Sequence, residues 1–197
     1  MKNRLSKIVV SALLITSSLM ADESPSLYSY DGVYSFVGIE GGIGRLDVER
    51  DDGTTSTINK KDMYGGGLKI GAQTDNYKIY LNANYYDADS FDYMTTYGVG
   101  LQYMFNFSKG MNAFLGVNTG IANMRFLISG ETSRTISDPY VGGEAGFNVH
   151  LGDELDLEIG ARILSLDATN IMSGAPTFTF DNIISGYASI NFKYKMD

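Results

Sequence analysis

An alternation of large apolar residues with small or polar ones repeats along most of this chain. In segment 97–106 the even positions are mostly glycine or polar, and the odd positions are Tyr97, Val99, Leu101, Tyr103 and Phe105. A period of two residues predicts a β-strand whose two faces meet different environments. Similar segments occur at 77–86, 113–122, 140–150, 155–162 and 184–194. The sequence therefore predicts an all-β chain.

The polar face of these strands is rich in small residues. A soluble sheet shows Lys, Glu and Thr to water, but this face carries Gly98, Gly100, Gly116, Asn118, Gly120, Gly142, Gly146 and Asn148. Small side chains suit the crowded inside of a narrow barrel, so the apolar face is expected to point outward to lipid. Apart from the N-terminal segment, no apolar stretch approaches the about 20 residues that a spanning helix needs. A membrane protein without such helices must be a closed barrel, because lipid leaves no backbone group unpaired.

The length of the chain limits the number of strands. Eight spanning strands of about 10 residues need about 80 residues, whereas sixteen would need about 160 and leave almost no connections. The sequence therefore predicts an eight-stranded antiparallel up-and-down transmembrane β-barrel. Strands are expected at about 35–47, 62–73, 77–86, 95–106, 112–125, 139–151, 155–164 and 182–195. The connections after the second, fourth and sixth strands are short, and the others are longer on the whole.

The N-terminal segment has the layout of a secretory signal peptide. A basic start precedes an apolar run at 8–15, and the segment ends on the small residue Ala21 before two acids. It is too short and wrongly flanked for a spanning helix. We expect residues 1–21 to be a signal peptide, 22–33 a periplasmic lead-in and 34–197 the outer-membrane barrel domain. Short connections would then face the periplasm, and the longer loops the outside.

Composition excludes several kinds of partner. The chain has 23 acidic and 15 basic residues, and three of the basic ones lie in the expected leader. Such a surface repels nucleic acid. The chain has no cysteine, so it has no thiolate metal site and needs no disulfide. Acidic loops such as 47–52 could bridge divalent cations to lipid headgroups, but solvated loops are the simpler interpretation. No cofactor or metal is expected.

Aromatic residues fall where the two membrane interfaces are expected. Tyr77, Tyr103 and Phe105 lie near the predicted periplasmic ends of strands, and Tyr85 and Tyr97 lie near the outer ends. Amphipathic rings at headgroup level form the aromatic girdles of membrane barrels. The alternative is packing in a soluble core, but the central outward positions are aliphatic, which favours a girdle.

The last predicted strand carries a further feature. Ile190, Phe192 and Tyr194 alternate along it, which resembles the C-terminal assembly signal of bacterial outer-membrane barrels. Ser189 stands where that pattern usually has Gly, and three residues follow Tyr194 where many members end on an aromatic residue. With the leader, the eight strands and the start at 36–42, the chain resembles OmpA/OmpX-type porin-like barrels.

This resemblance implies a fold and a place, the outer membrane of a Gram-negative-type bacterium, and no catalytic residue. The partners that it implies are outer-membrane lipids, lipopolysaccharide and the assembly machinery, and the chain is expected to be a monomer. An enzyme is not expected, because the single histidine, His150, lies beside a predicted periplasmic turn and no Gly-x-Ser-x-Gly motif is present.

Charged residues at inward positions predict ion pairs in the lumen. If 152–154 is a three-residue turn, Glu144 and Arg162 lie directly opposite each other on neighbouring strands. Glu40 and Lys69 would pair in the same way if the first hairpin centres between Thr54 and Thr55. An eight-stranded barrel has room only for side chains, so pairing is favoured over contact with water. Lys78 and Glu158 also fall on inward positions.

The function predicted from these features is that of an integral outer-membrane barrel of structural or surface-interaction type, with its extracellular loops as the interaction surface. A narrow channel for small solutes or ions is the alternative from another class. A barrel lipid hydrolase is the third possibility, although no catalytic arrangement supports it.

Overall fold

The computed structural model describes residues 32–51, 53–88, 91–126, 134–170 and 177–195. The expected signal peptide and nearly all of the expected lead-in lie outside these ranges, so both stay predictions. Within the described residues no helix is long and apolar enough to cross a membrane.

The described residues form eight antiparallel strands that close into a barrel. The strands are β1 (Tyr34–Asp51), β2 (Ser56–Gln73), β3 (Tyr77–Ala88), β4 (Phe91–Ser108), β5 (Met111–Phe126), β6 (Arg134–His150), β7 (Leu155–Asn170) and β8 (Thr177–Lys195). Each strand pairs with the next one in sequence, and β1 pairs with β8 to close the ring. The predicted fold class is confirmed.

The two ends of the barrel differ. At one end, which we call the short-turn end, residues 74–76, 109–110 and 151–154 connect the strands. At the opposite end, which we call the extended end, most strands run further than the sequence predicted. The predicted connection at 165–180 is wrong in this respect, because β7 continues to Asn170 and β8 begins at Thr177. Within the described ranges, this end is therefore built largely of strand.

The two faces of the barrel wall exchange polarity along β1. In the lower part of β1, Ile39 and Ile43 are exposed on the outside while Glu40 is buried inside. Two residues further along, Arg45 is exposed outside and Leu46 is buried inside. An apolar exterior is stable in lipid, whereas a polar exterior over an apolar interior is the arrangement of a soluble sheet. The exterior of β1 at the extended end is therefore suited to water rather than to lipid.

The first hairpin differs in register from the prediction. Glu40 lies opposite Gly67, and Lys69 lies opposite Gly38, because the hairpin centres between Gly53 and Thr54. Gly53 has a φ of +85°, a conformation that glycine adopts without strain. Its backbone N–H donates a 2.8 Å hydrogen bond to Oδ1 of Asp51. The prediction that Glu40 and Lys69 lie directly opposite each other is therefore wrong, because the hairpin centre lies one residue earlier than predicted.

Candidate functional site in the barrel interior

Six buried charged side chains meet inside the barrel, in the half nearer the short-turn end. Three are carboxylates and three are cations, so the formal charges balance. We call this set the interior charge network; its members are Glu40, Lys69, Lys78, Glu144, Glu158 and Arg162, and each is at most 4% exposed. Buried charges of this kind are tolerated only when they are paired and hydrogen-bonded.

Arg162 on β7 joins two of the carboxylates. Its Nε donates to Oε2 of Glu144 at 3.1 Å. Its two terminal nitrogens donate to the two carboxylate oxygens of Glu40, at 2.9 and 3.1 Å. The planar guanidinium matches a carboxylate in this two-bond geometry, which adds directional specificity to the charge attraction.

Lys69 on β2 connects that group to the third carboxylate. Its Nζ lies 2.8 Å from Oε2 of Glu40 and 2.8 Å from Oε1 of Glu158. Glu158 also receives Nζ of Lys78 at 2.6 Å. The hydroxyl of Tyr187 donates to Oε1 of Glu158 at 2.9 Å. The six charges therefore form one connected network rather than three separate pairs.

Two tyrosine rings fill the space between the charges. The hydroxyl of Tyr80 donates to Oε1 of Glu144. The ring of Tyr187 lies 4.3 Å from Nζ of Lys69 and 4.4 Å from Cζ of Arg162, within range of cation–π attraction. Glycine makes room for these rings: a Cβ on Gly100 would stand 2.2 Å from Cζ of Tyr80. The glycine-rich inward face thus serves to admit large rings from facing strands.

Sequence analysis predicted part of the interior charge network. The structure places Glu144 directly opposite Arg162, as the register argument predicted. Glu40 and Lys69 are in contact despite the register error. The bond between Arg162 and Glu40 was missed, because β8 lies between their strands and pairing arithmetic considers only adjacent strands. The inward positions of Lys78 and Glu158 were recognised, but their shared ion pair was not.

An apolar core occupies the interior at the extended end, beyond the network. The sequence did not predict it. Its buried members are Leu46, Val48, Met63, Tyr86, Met94, Ala122, Met124, Tyr140, Leu164, Leu166, Ala168, Phe180 and Ile183. The signal was present as alternation in segments that we assigned to connections, such as 165–180. The interior therefore has a charged tier and an apolar tier.

A smaller polar cluster lies at the short-turn end. Nδ1 of His150 and Nζ of Lys193 lie 2.7 and 2.8 Å from Oδ1 of Asp156. Nε2 of His150 lies 3.2 Å from the side-chain amide of Asn112, which is not a nucleophile. Within the described part of the chain, no group of three or more His, Cys, Asp or Glu side chains is arranged to hold a metal ion. The cluster links β5, β6, β7 and β8 at this mouth of the barrel.

The predicted girdle residues lie on the outer wall. At the short-turn end, the ring of Tyr103 contacts Tyr77 and Phe105 edge-on, at centroid distances of 5.3 and 4.8 Å. Towards the extended end, Tyr85 and Tyr97 are exposed on the outside. The residues of the predicted assembly signal also point outward from β8; they are Ile190, Phe192 and Tyr194. These orientations agree with the predicted roles, and the roles themselves stay predictions.

The chain matches no protein-family profile and no curated protein. Among solved structures it is similar to Neisserial surface protein A, with 16% identity and a TM-score of 0.54 over 84% of this chain and 100% of the other. OprG from Pseudomonas aeruginosa is similar at 14% identity and a TM-score of 0.60, over 87% and 98% of the two chains. Ail of Yersinia pestis, in complex with the heparin analogue sucrose octasulfate, matches at 12% identity and a TM-score of 0.54, over 82% and 99%. The chain therefore has the fold of the eight-stranded outer-membrane β-barrels of the OmpA/OmpX type.

Proposed function

We propose that this protein is an outer-membrane barrel of structural or surface-interaction type, whose extended end forms its surface outside the cell. The observation that carries the proposal is the filled interior, in which the interior charge network and the apolar core occupy successive tiers. A barrel whose interior is packed with side chains serves as a rigid support for what it presents outside.

The two tiers together oppose a conducting role. An ion that entered from the short-turn end would have to displace side chains held by several charge-assisted bonds each, such as Arg162 and Glu158. Beyond them it would meet the apolar core, where an unpaired charge is strongly disfavoured. A narrow channel remains the competing function and is the outcome against which the test is designed.

The proposed orientation rests on the lengths of the turns and on the polarity of the outer surface of the barrel. The three short turns are typical of the periplasmic side of such barrels. The extended end has a polar exterior over an apolar interior, which suits a part that stands above the membrane.

The name of Ail, the attachment invasion locus protein, gives an example of this fold in an attachment role, and such a role is here a proposal. We also propose that the chain is not an enzyme and that it is exported by its signal peptide.

Single-channel recording tests this function. The folded protein is reconstituted in planar lipid bilayers, and we expect no reproducible conductance steps. Large, regular steps would contradict the proposal and support the channel. In that case Lys69→Gln should alter the step size or ion selectivity, because Lys69 would line the path, whereas Lys109→Gln at a turn should not.

Labelling of intact cells tests the orientation. The chain has no cysteine, so single cysteines can be introduced at Thr55 in the first hairpin and at Lys109 in a short turn. An impermeant thiol reagent is expected to label the first site and not the second. The reverse result would invert the proposed orientation.

A further inference from the structure

A concave surface of about 660 Å³ lies on the outer wall of β1, β2 and β8. We call it the wall groove. Its lining residues include Ile43, Arg45, Asp47, Lys60, Asp62 and Ile184. It lies where the apolar exterior gives way to the polar exterior of the extended end, so it belongs neither to the barrel interior nor to a loop.

The lower part of the wall groove is apolar. Ile43, Tyr64 and Ile184 are 71%, 61% and 55% exposed on the outside of the barrel. Ile43 and Tyr64 lie opposite each other on β1 and β2, and Ile184 lies opposite Arg45 across the β1–β8 seam. These side chains continue the apolar belt of the barrel, so in a membrane they contact acyl chains.

The upper part of the wall groove carries two cations on the same outer face. Arg45 donates to Asp62 through Nε at 2.8 Å, and within the described residues its two terminal nitrogens form no hydrogen bond. Lys60 is exposed and, within the described part of the chain, forms no ion pair. Both cations therefore have donors to offer to a bound anion.

We propose that the wall groove is a binding site for a membrane lipid whose phosphate is held directly by Arg45 and Lys60, and whose acyl chains lie on Ile43 and Ile184. An arginine with free terminal nitrogens binds phosphate oxygens in a two-bond geometry, and a lysine adds a point charge. The apolar residues below contact the acyl chains, so a phosphate without chains is expected to bind more weakly. The inference does not depend on whether the barrel conducts.

The two acidic residues of the wall groove distinguish two ways in which a phosphate could bind there. Asp62 lies opposite Arg45, and Asp47 lies opposite Lys60. If the phosphate is bound directly, these carboxylates repel it and weaken binding. If instead a divalent cation bridged the carboxylates to the phosphate, they would be required for binding. Substitution of the acids therefore separates direct binding from metal bridging.

The test measures lipid binding by native mass spectrometry of the folded protein in a non-ionic detergent containing EDTA. The probe is dimyristoyl phosphatidylglycerol, and dimyristoylglycerol is the matched lipid without phosphate. We expect one phosphatidylglycerol to bind in preference to dimyristoylglycerol. Arg45→Gln combined with Lys60→Gln should weaken its affinity at least tenfold. The matched control, Lys109→Gln combined with Lys195→Gln, removes two cations from the short-turn end and should leave the affinity unchanged.

Further measurements distinguish direct binding of the lipid phosphate from other causes of lipid binding. Asp47→Asn and Asp62→Asn should each strengthen binding in EDTA, and inorganic phosphate should not displace the lipid. Binding that is lost with the acids or that requires Mg²⁺, equal binding of dimyristoylglycerol, or displacement by phosphate would each overturn the proposal. Folding of each variant is checked by its heat-modifiable migration on gels, and Lys60→Gln alone provides a milder substitution with the same expected direction.

Discussion

Arg162 on β7 holds Glu40 on β1 with both terminal nitrogens, at 2.9 and 3.1 Å, although β8 lies between these two strands. The bond spans the barrel interior rather than a strand pair. Together with the Nε bond from Arg162 to Glu144, it ties β1, β6 and β7 to one side chain. The closing seam between β1 and β8 is therefore supported from inside as well as by its backbone hydrogen bonds.

The first prediction concerns this connection. We expect Arg162→Leu to destabilise the barrel by about 3–5 kcal/mol, because it leaves Glu40 and Glu144 without their shared cation in a poorly hydrated interior. The free energy of unfolding is measured by urea titration in lipid vesicles. In double-mutant cycles with Glu40→Leu and Glu144→Leu, the coupling energy should be larger for Glu40, which receives two bonds. Additive effects in both cycles would show that the side chains do not interact.

Sequence reasoning reached the fold because lipid demands a simple pattern. The alternation at 97–106 predicted strand, outward apolar residues and a closed barrel, and the structure has all three. It also located the register between β6 and β7, because the turn at 151–154 is short enough to constrain it. The first hairpin was placed wrongly, because its centre depends on the backbone conformation of Gly53.

The interior was harder to predict for two physical reasons. The strands keep their period of two at the extended end, but the environments of the two faces are exchanged. Leu46 and Leu164 therefore point inward, where the pattern of the strands nearer the short-turn end predicts polar residues. The second reason is that the reach of a long side chain is not encoded in strand pairing. The contact of Arg162 with Glu40 could be found only from the three-dimensional structure of the closed barrel, in which β1 and β7 lie on either side of β8.

The second prediction concerns the apolar core. We expect Leu46→Ala to lower the free energy of unfolding by about 2–5 kcal/mol, because the side chain is buried and its removal leaves a cavity. Ile43→Ala is the matched control on the same strand, since Ile43 faces outward and lipid fills the space. Equal losses for the two variants, measured in the same vesicles, would argue against an apolar core at the extended end.

The third prediction concerns the last strand. Phe192 is 54% exposed on the outer wall near the short-turn end. We expect Phe192→Asp to reduce the yield of the folded, heat-modifiable form in cells. A charge on the lipid-facing surface costs about 2–4 kcal/mol at the midplane and less towards the interface. The same change also removes an aromatic residue of the predicted assembly signal. Lys195→Asp, at the end of β8, is the control; a normal folded yield of Phe192→Asp would contradict the assignment.

The filled interior is tested most directly by the access of water-soluble reagents to Ser189. This residue is 1% exposed on the inner face of β8, and cysteine replaces serine with little change in shape. In folded protein in lipid vesicles, a charged thiol reagent should leave Ser189→Cys unmodified over the time in which it fully modifies Thr55→Cys. After unfolding in urea both cysteines should react. Rapid modification of Ser189→Cys in the folded barrel would show a water-filled interior and contradict the account.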